Sequence, residues 1–380
     1  MTDQTGLVAL DLPRWPNITD EDIAAAEDVL RSGVLNMRSS AVVRAFEAKF
    51  GGYHGGHKAV VVANGTAAIH LALIACDIGP GDEVIVPTHT FVGAAAPVLY
   101  AGATPVFADV DEVTHCVSVA TVEPLITPQT RAVTVVHLNG YPVDIDPLLS
   151  ILAPQGIVVI EDCAQALGST SRGIPVGTFG RVSTFSFFEQ KVITAGGEGG
   201  AVVTNDGALA DRLDLLRQHA EASRTADDAR FWSHELGYNY RLSPVQTAIV
   251  SSQFDRLGDL VRRQRRNAHL YAEVLRDETR LVLPVEPQAG QHSFWRYAVR
   301  VTREAGVPAG EIADRLQRRG IPSRLRYPFP VHVQPPFDDR SCLSMAERLS
   351  HELITLPVHA TMDACHVERV AEAVIQVLDE

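Results

Sequence analysis

The sequence predicts an α/β protein with a mostly parallel central sheet flanked by helices, followed by a smaller α+β domain. The first observation behind this prediction is that short β-branched runs alternate with Ala- and Leu-rich stretches between residues 59 and 205. Continuous apolar runs of this kind suit strands buried on both faces, and the intervening helices supply the crossovers. The second observation is that the residue pattern changes after residue 200 and a long helical segment follows.

Seven strands of the large domain are predicted from their apolar runs, in chain order: AVVVA, EVIVP, TPVFADV, AVTVVH, IVVIED, STFSFF and GAVVTN. A helix is predicted from about Pro244 to Asp277, because apolar residues recur there at helical spacing. FWRYAVRVT and PSRLRYP are predicted to be strands on either side of a helix at 309–318. We therefore expect residues 1–250 to form an N-terminal arm and the large domain, and residues 251–380 to form a bridging helix and the small domain.

Composition and charge restrict the class of protein. The chain has 380 residues, 46% of them hydrophobic and 21% charged, which is typical of a globular protein with room for a large and a small domain. Its formal net charge of −13 argues against a nucleic-acid surface, which needs clustered positive charge. The one basic run, VRRQRRN at 261–267, is interpreted as a solvated helix face rather than a binding patch.

Neither a targeting segment, a membrane span nor a metal site is predicted. The first residues lack a basic start followed by an apolar core, so we expect a cytoplasmic protein. The apolar stretch at 90–107 contains two prolines and two glycines, so it is predicted to be a buried helix followed by a strand. The five cysteines show no C-x-x-C spacing and are expected to be free thiols.

Lys191 stands out because it lies between an aromatic run and a glycine-rich loop, in FSFFEQKVITAGGEGG. Only three lysines, Lys49, Lys58 and Lys191, are present among 33 basic residues. Where a fixed positive charge is enough, the sequence has mostly used arginine. We therefore infer that Lys191 is present for its amine.

Two further motifs supply a carboxylate and an anion site. The IVVIED run ends in Glu161 and Asp162, at the point where a parallel strand leaves the sheet, although an acidic residue there can also cap a helix. The AVVVA run leads into Asn64-Gly65-Thr66 and a helix, so backbone N–H groups and a hydroxyl lie at a helix N-terminus. A plain N-cap by Asn64 is the alternative.

An amine, a carboxylate and a phosphate cradle are together what pyridoxal 5′-phosphate (PLP) needs: a lysine for the Schiff base, an acidic partner for the pyridine nitrogen and a phosphate site. Competing motifs are absent, because the chain contains no G-x-x-x-x-G-K-[ST], H-E-x-x-H or G-x-S-x-G. The sequence therefore favours a PLP enzyme.

The chain resembles the DegT/StrS-type sugar aminotransferase family, which are PLP-dependent enzymes of fold-type I. The resemblance covers nearly the whole chain, and its blocks occur in order: FEAKFGGY, VVANGTAAIHLAL, GPGDEVIVPTHTFVGAA, GATPVFADVD, VVHLNGYPVDIDPL, VVIEDCAQALGS, GTFGRVSTFSF, KVITAGGEGGAVVTND and LGYNYRLSPVQTAI. The resemblance implies a fold-type I PLP transferase with a large PLP-binding domain.

The resemblance also implies roles around the cofactor ring. Lys191 would form the Schiff base and shuttle the proton, and Asp162 would pair with the pyridinium nitrogen. Gln165 would lie near the ring and its phenolic oxygen, and Phe91 would stack on the other ring face. Arginine could not replace Lys191, because the reaction needs an amine of usable basicity.

The phosphate would be held by Gly65, Thr66 and Ser186, as the resemblance implies. Asn239 would reach the phosphate from the neighbouring subunit, so the active sites would be shared within a homodimer. PLP would alternate with pyridoxamine 5′-phosphate as the intermediate form.

Three positions depart from the family pattern. Cys163 stands where the family usually has alanine and is interpreted as a packing residue. Asn139 indicates an unusual sugar-facing pocket. Arg326 replaces a histidine that often precedes the tyrosine of the C-terminal block, and it could bind a substrate phosphate or carboxylate or be a surface residue. If the acceptor is nucleotide-linked, Arg241, Arg324 and Arg326 are the candidates for its pyrophosphate.

The function expected from the resemblance is a ping-pong aminotransferase. Glutamate or glutamine would donate the amino group to a keto sugar, nucleotide-linked or not, or to a keto-cyclitol, in amino-sugar, aminocyclitol, antibiotic or cell-surface glycan biosynthesis. Two alternatives stay open: a PLP-dependent dehydratase, epimerase or oxidase acting on a related sugar, and a non-catalytic regulatory homologue. Lys191 favours transamination over dehydration, because some dehydratase relatives have histidine at this position.

Overall fold

A computed structural model of the chain describes residues 11–221 and 232–380. Residues 1–10 of the expected N-terminal arm, and residues 222–231 of the expected large domain, lie outside this part. The strands are β1 Lys58–Val62, β2 Glu83–Pro87, β3 Thr104–Ala108, β4 Thr130–Val136, β5 Val158–Asp162, β6 Thr170–Ser171, β7 Ile174–Pro175, β8 Val182–Ser186, β9 Gly200–Thr204, β10 Leu281–Val282, β11 Gly290–Gln291, β12 Tyr297–Val301, β13 Arg324–Leu325 and β14 Leu353–Leu356.

A seven-stranded sheet in the order β1-β9-β8-β5-β4-β2-β3 forms the centre of the molecule. β9 runs antiparallel to β1 and β8, and the other neighbouring pairs are parallel. All seven strands predicted from the apolar runs are present. Most of their residues are buried, as expected for strands covered on both faces.

Helices cover this sheet and contribute to a second, smaller core in the C-terminal part of the chain. They are α1 Asp20–Ser32, α2 Ala41–Tyr53, α3 Gly65–Ala75, α4 Ala96–Tyr100, α5 Val119–Val122, α6 Asp146–Leu152, α7 Gly207–Leu216, α8 Pro244–Asp255, α9 Leu257–Val274, α10 Ala309–Arg318, α11 Ser344–Glu352 and α12 Ala364–Asp379. α3 and α7 pack on one face of the sheet, and α2 packs against β1 and α8. The mostly parallel sheet flanked by helices is the predicted α/β architecture.

The apolar stretch at 90–107 contains the short helix α4 followed by β3, as predicted. Pro97 and Val98 of α4 are buried, whereas Leu99 and Tyr100 are exposed. Within the described residues, no helix combines the length and the apolar character needed to cross a bilayer.

The single helix predicted from Pro244 to Asp277 is two helices, α8 and α9, so this prediction was wrong at one position. Arg256, between them, has φ −102° and ψ 2°, outside the helical region. Its guanidinium donates a hydrogen bond to Asp22 Oδ2 at 2.7 Å, which ties the joint to α1. Only Gly258, which follows at the start of α9, signals the break in the sequence.

A smaller core lies in the C-terminal part of the chain. Its sheet has the order β10-β12-β14-β13, with every neighbouring pair antiparallel; α10 packs against it, and α12 packs against α9 and α10. The two cores meet along α9: Val261 packs in the large core, whereas Ala268 and Tyr271 pack in the small one. The domain boundary at residue 250 stays a prediction.

Candidate active site

A cavity of about 600 Å³ opens where β5, β8 and the N-terminus of α3 meet. It lies beyond the carboxyl ends of parallel strands, where open α/β sheets place their ligands. The predicted residues that line it are Gly65, Thr66, Phe91, Asp162, Gln165, Ser186, Lys191 and Arg326. The structure therefore brings together eight of the eleven residues proposed from the sequence.

Lys191 lies in the segment that connects β8 to β9, next to an indole ring. Its Nζ is 4.0 Å from the centroid of Trp295, a cation–π contact. Withdrawal of the amine from bulk water lowers the pKa of Lys191; Asp162 raises this pKa, and Arg326 and Arg296 lower it further. The site thus shifts the amine toward its neutral, nucleophilic form.

Asp162 ends β5 and is buried, with 5% of its surface exposed. Its Oδ1 accepts a hydrogen bond from the backbone N–H of Ala164 at 3.0 Å in a turn, and no helix follows β5 that Asp162 could cap. Burial raises the pKa of Asp162, against the lowering effects of this hydrogen bond and of Lys191. The carboxylate also lines the cavity, where a cationic ring nitrogen would supply the missing partner.

Gln165 links the cavity to a chain of hydrogen bonds. Its Oε1 accepts from the backbone N–H of Asn139 at 2.9 Å, and its Nε2 donates to the hydroxyl of Tyr327 at 3.0 Å. That hydroxyl also accepts a hydrogen bond from Arg326 Nη2 at 2.9 Å. Burial raises the pKa of Tyr327, so its hydroxyl remains protonated at neutral pH.

The N-terminus of α3 opens into the cavity, where the sequence predicts a phosphate site. Asn64 Oδ1 accepts from the backbone N–H of Ala67 at 2.8 Å, which confirms Asn64 as the N-cap. The N–H groups of Gly65 and Thr66 precede that bond at the open end of the helix, where an anion is favoured. A Cβ added at Gly65 would come within 2.9 Å of Ser186 Cβ, so glycine keeps the space beside the Ser186 hydroxyl open.

Three predicted residues lie away from this cavity. Asn239 and Arg241 line a separate opening, together with Arg38 and Glu221. Arg324 is exposed on β13 and does not line the cavity of Lys191. Their roles toward the cofactor phosphate and the acceptor stay predictions.

Sequence reasoning missed Trp295 and Arg296, which line the cavity from the C-terminal part of the chain. Trp295 Nε1 donates to the carbonyl of Gln190 at 2.7 Å, and Arg296 Nη2 donates to Gln190 Oε1 at 2.7 Å. Both are therefore fastened to the residue that precedes Lys191. They were interpreted only as the start of a strand, although β12 begins at Tyr297. A tryptophan and an arginine at the entry to a strand were the available signal, since loop residues often carry function.

A buried cluster behind the cavity contains His137, Glu161 and Cys163, whose ligand atoms lie within 4.8 Å of one another. Glu161 accepts backbone N–H bonds at 2.6–2.8 Å from the loop at 177–180, and it also accepts from His137 Nε2 at 3.1 Å. These bonds satisfy the carboxylate without a metal ion. Burial raises the pKa of the Cys163 thiol, which supports the packing role.

Comparison with known proteins gives a consistent picture. The model of the DegT/DnrJ/EryC1/StrS aminotransferase family matches residues 16–375. A GDP-perosamine synthase of Caulobacter vibrioides is 40% identical over 340 residues, which cover 88% of this chain and 89% of the relative. A UDP-N-acetyl-3-dehydro-alpha-D-glucosamine 3-aminotransferase of Acidithiobacillus ferrooxidans is 36% identical over 381 residues, 100% of both chains.

Among solved structures, S. venezuelae DesV in complex with a ketimine intermediate superposes with a TM-score of 0.88 and 33% sequence identity. The superposition covers 95% of each chain. The aminotransferase from Psychrobacter cryohalolentis gives a TM-score of 0.91 at 29% identity, covering 97% of this chain and 98% of that one.

Proposed function

The chain belongs to the DegT/DnrJ/EryC1/StrS aminotransferase family, and on that premise we propose that it uses PLP to transfer an amino group from an amino-acid donor to a keto sugar. The acceptor that we propose is a nucleotide-linked keto sugar, because the names of the Caulobacter and Acidithiobacillus relatives both refer to a nucleotide-linked sugar. We also propose a cytoplasmic homodimer with shared active sites, as the resemblance implies.

One observation carries the proposal: Lys191, Asp162 and the cradle of Gly65, Thr66 and Ser186 line a single cavity. Each residue type matches a separate requirement of the cofactor, namely an amine, a carboxylate and a phosphate site. The buried carboxylate and the glycine that leaves room beside Ser186 both fit PLP.

The residues divide the work of the reaction. PLP, when bound, supplies an electron sink for the electron pair left on the donor carbon. Asp162 would hold a proton on the pyridine nitrogen, and Lys191, once displaced, would carry the proton from the donor carbon. Trp295 presents an aromatic face to the amine of Lys191.

The test uses the scarcity of lysines. The purified protein is incubated with PLP, reduced with borohydride and digested, and the labelled lysine is identified by mass spectrometry. We expect the label on Lys191, its loss in Lys191→Ala and its retention in the control Lys58→Ala, whose lysine is exposed at the start of β1. Labelling that survives in Lys191→Ala would contradict the assignment.

A second measurement concerns the reaction. The PLP form is mixed with L-glutamate or L-glutamine, and nucleotide-linked keto sugars are then added to detect their amino products. Release of the matching keto acid and formation of an amino sugar are expected. A protein that takes up PLP but releases no keto acid with either donor would instead favour a different PLP reaction.

A further inference from the structure

The hydroxyl of Tyr327 lies where three side chains meet at the wall of the cavity. Its oxygen accepts a hydrogen bond from Gln165 Nε2 at 3.0 Å and another from Arg326 Nη2 at 2.9 Å. All three side chains line the cavity that contains Lys191. Because a guanidinium has no acceptor atom, the bond with Arg326 can run only from the arginine to the hydroxyl oxygen.

The orientation of the Gln165 amide is fixed by the backbone. Its Oε1 lies 2.9 Å from the backbone nitrogen of Asn139, a group that can only donate. The amide oxygen must therefore face Asn139 and the amide nitrogen must face Tyr327, so this second bond also runs toward the hydroxyl oxygen. Asn139 has φ 55°, a left-handed conformation that asparagine adopts more easily than most residues. Asn139 is thus a positioning residue for the amide.

Two protons of this network have no acceptor. The oxygen of Tyr327 accepts two hydrogen bonds, so only its proton remains to be donated. The amide nitrogen of Gln165 has a second N–H that the bond to Tyr327 does not use. No acceptor for either proton is found among the described residues. This corner of the cavity therefore offers hydrogen-bond donors alone.

The groups around the phenol ring hold it in place and keep its hydroxyl protonated. Arg326 stacks on the ring, with its guanidinium carbon 4.3 Å from the centroid, and His89 meets the ring edge-on at 5.7 Å. Burial lowers the pKa of His89 to about 3, so this imidazole is neutral. Burial raises the pKa of Tyr327, and Asp162 raises it further. Arg326 and Arg296 lower it, but the pKa stays above the ordinary tyrosine value.

We infer that Tyr327 donates its proton to the phenolic oxygen of bound PLP, and that the amide of Gln165 is a second donor to the same oxygen. This inference rests on the proposed function and adds Tyr327 to the cofactor-binding residues of that site. The other polar groups of PLP have partners in the proposal: the phosphate at the N-terminus of α3, the aldehyde at Lys191 and the ring nitrogen at Asp162. The phenolic oxygen carries negative charge once PLP is bound to lysine, so it fits a corner that contains only donors.

An oxygen of the acceptor sugar is the other group that these donors could meet, and the position of Gln165 favours the cofactor. Asp162 and Gln165 are three residues apart, and each has 5% of its surface exposed. In PLP, a single ring carbon separates the nitrogen from the carbon that bears the phenolic oxygen. The group that binds this oxygen must therefore lie near the carboxylate that binds the nitrogen, whereas an acceptor sugar enters from solvent.

The test compares PLP with 3-deoxypyridoxal 5′-phosphate, an analogue that lacks only the phenolic oxygen. Both are titrated into the PLP-free wild type and into Tyr327→Phe, which removes the hydroxyl and keeps the ring. We expect Tyr327→Phe to bind PLP at least about tenfold more weakly, through loss of a charge-assisted hydrogen bond, and to bind the analogue as the wild type does. The control is Tyr297→Phe, because Tyr297 is buried in the small core and its hydroxyl has no partner among the described residues.

Three results decide the assignment. Affinity lost for PLP alone, with both affinities unchanged in Tyr297→Phe, supports the inference. Equal losses for the two ligands overturn it, because the hydroxyl then acts on the site as a whole. Unchanged affinities overturn it as well, and a raised KM for the keto sugar would then assign the hydroxyl to the acceptor. If the wild type takes up no PLP, the proposed function fails; if it does and the two ligands respond alike, only this inference fails.

The absorption spectrum of the PLP-loaded protein gives an independent check without substrate. A hydrogen bond to the phenolic oxygen favours its ionised form, so the lysine-bound cofactor loses its proton at lower pH when the bond is present. The midpoint of the pH-dependent change in the PLP band should rise in Tyr327→Phe, by about one pH unit for a tenfold effect, and stay in place in Tyr297→Phe. A midpoint that falls or does not move in Tyr327→Phe would contradict the inference.

Discussion

The amine of Lys191 lies among groups that favour its neutral form. Water is largely displaced around it, and Arg326 and Arg296 add positive charge, so its pKa is below the ordinary lysine value in spite of Asp162. An amine attacks a carbonyl only when it is neutral, and the neutral fraction falls as the pH drops below the pKa. A lowered pKa therefore extends reactivity to lower pH.

We predict that the PLP-free protein takes up PLP at an undiminished rate down to a pH well below about 10.4, the ordinary pKa of lysine. Below that pH the rate falls, which gives the acid limb of the profile. In Arg326→Gln one positive neighbour is removed, so the pKa of Lys191 should rise and the acid limb should move to higher pH. The measurement is the rate of appearance of the PLP absorption band against pH, with Arg369→Gln as the control because Arg369 is exposed on α12. A limb that moves to lower pH would contradict this account.

Glu161 and Asp162 are adjacent on β5, and successive residues of a strand point to opposite faces. Asp162 faces the cavity, whereas Glu161 holds the loop at 177–180. Burial opposes ionisation of Glu161, but the hydrogen bond from His137 and the backbone donors lower its pKa overall. This stabilisation is present above the unfolded pKa, about 4.3, and is lost as the pH falls through the folded value.

We predict that Glu161→Gln lowers the free energy of unfolding by at least about 2 kcal/mol, because the amide cannot replace a charged acceptor of several buried donors. The matched control is Glu27→Gln, which removes an exposed pair with Arg31 within one helix and should cost less than about 0.5 kcal/mol. Urea unfolding at neutral pH measures both. Equal effects would show that the loop does not depend on the carboxylate.

At the scale of elements, the proposed phosphate site depends on how closely α3 approaches the end of β8. A Cβ at Gly65 would lie 2.9 Å from Ser186 Cβ, closer than two carbon atoms allow, so the helix or the strand end would have to shift. Gly52, in the last turn of α2, has no atom within 4 Å of an added Cβ and serves as the matched position.

We predict that Gly65→Ala weakens PLP binding by about tenfold or more, since overpacking costs about 1–3 kcal/mol. Gly52→Ala should leave PLP affinity unchanged and stabilise the helix by about 0.5–1 kcal/mol. Titration of the PLP-free proteins with PLP gives both affinities. A normal affinity in Gly65→Ala would mean that the cradle is not set by this contact.

The elements also show what the sequence can specify. Each strand of the large sheet was predicted because a strand buried on both faces needs a continuous apolar run, which is a local property. The break at Arg256 was missed because the contact made there joins Arg256 to Asp22, more than two hundred positions away in the chain. Trp295 and Arg296 were missed for the same reason: only the folded chain places them against Gln190.

At the scale of the whole molecule, the positions of Asn239 and Arg241 bear on assembly. Both line an opening separate from the cavity of Lys191 in the same chain. If Asn239 contacts PLP, as the resemblance implies, it must do so in a neighbouring subunit.

We predict that Lys191→Ala and Asn239→Ala, each inactive or nearly so alone, regain activity when they are unfolded together and refolded as a mixture. A mixed dimer would contain one site with both native residues. Amino-sugar formation by the mixture, compared with each variant refolded alone, is the measurement. A mixture no more active than its components would place Asn239 and Lys191 in sites of the same chain or show that Asn239 has no role.

Trp295, Arg296 and Arg326 come from the C-terminal part of the chain, whereas Lys191 and Asp162 belong to the large sheet and its loops. A substrate that contacts those side chains while it reacts beside Lys191 would act as a crosslink between the two cores. Its binding energy would then be shared with the contact along α9, and the two cores would melt as one unit in its presence. Bound substrate would thus stabilise the folded enzyme against unfolding.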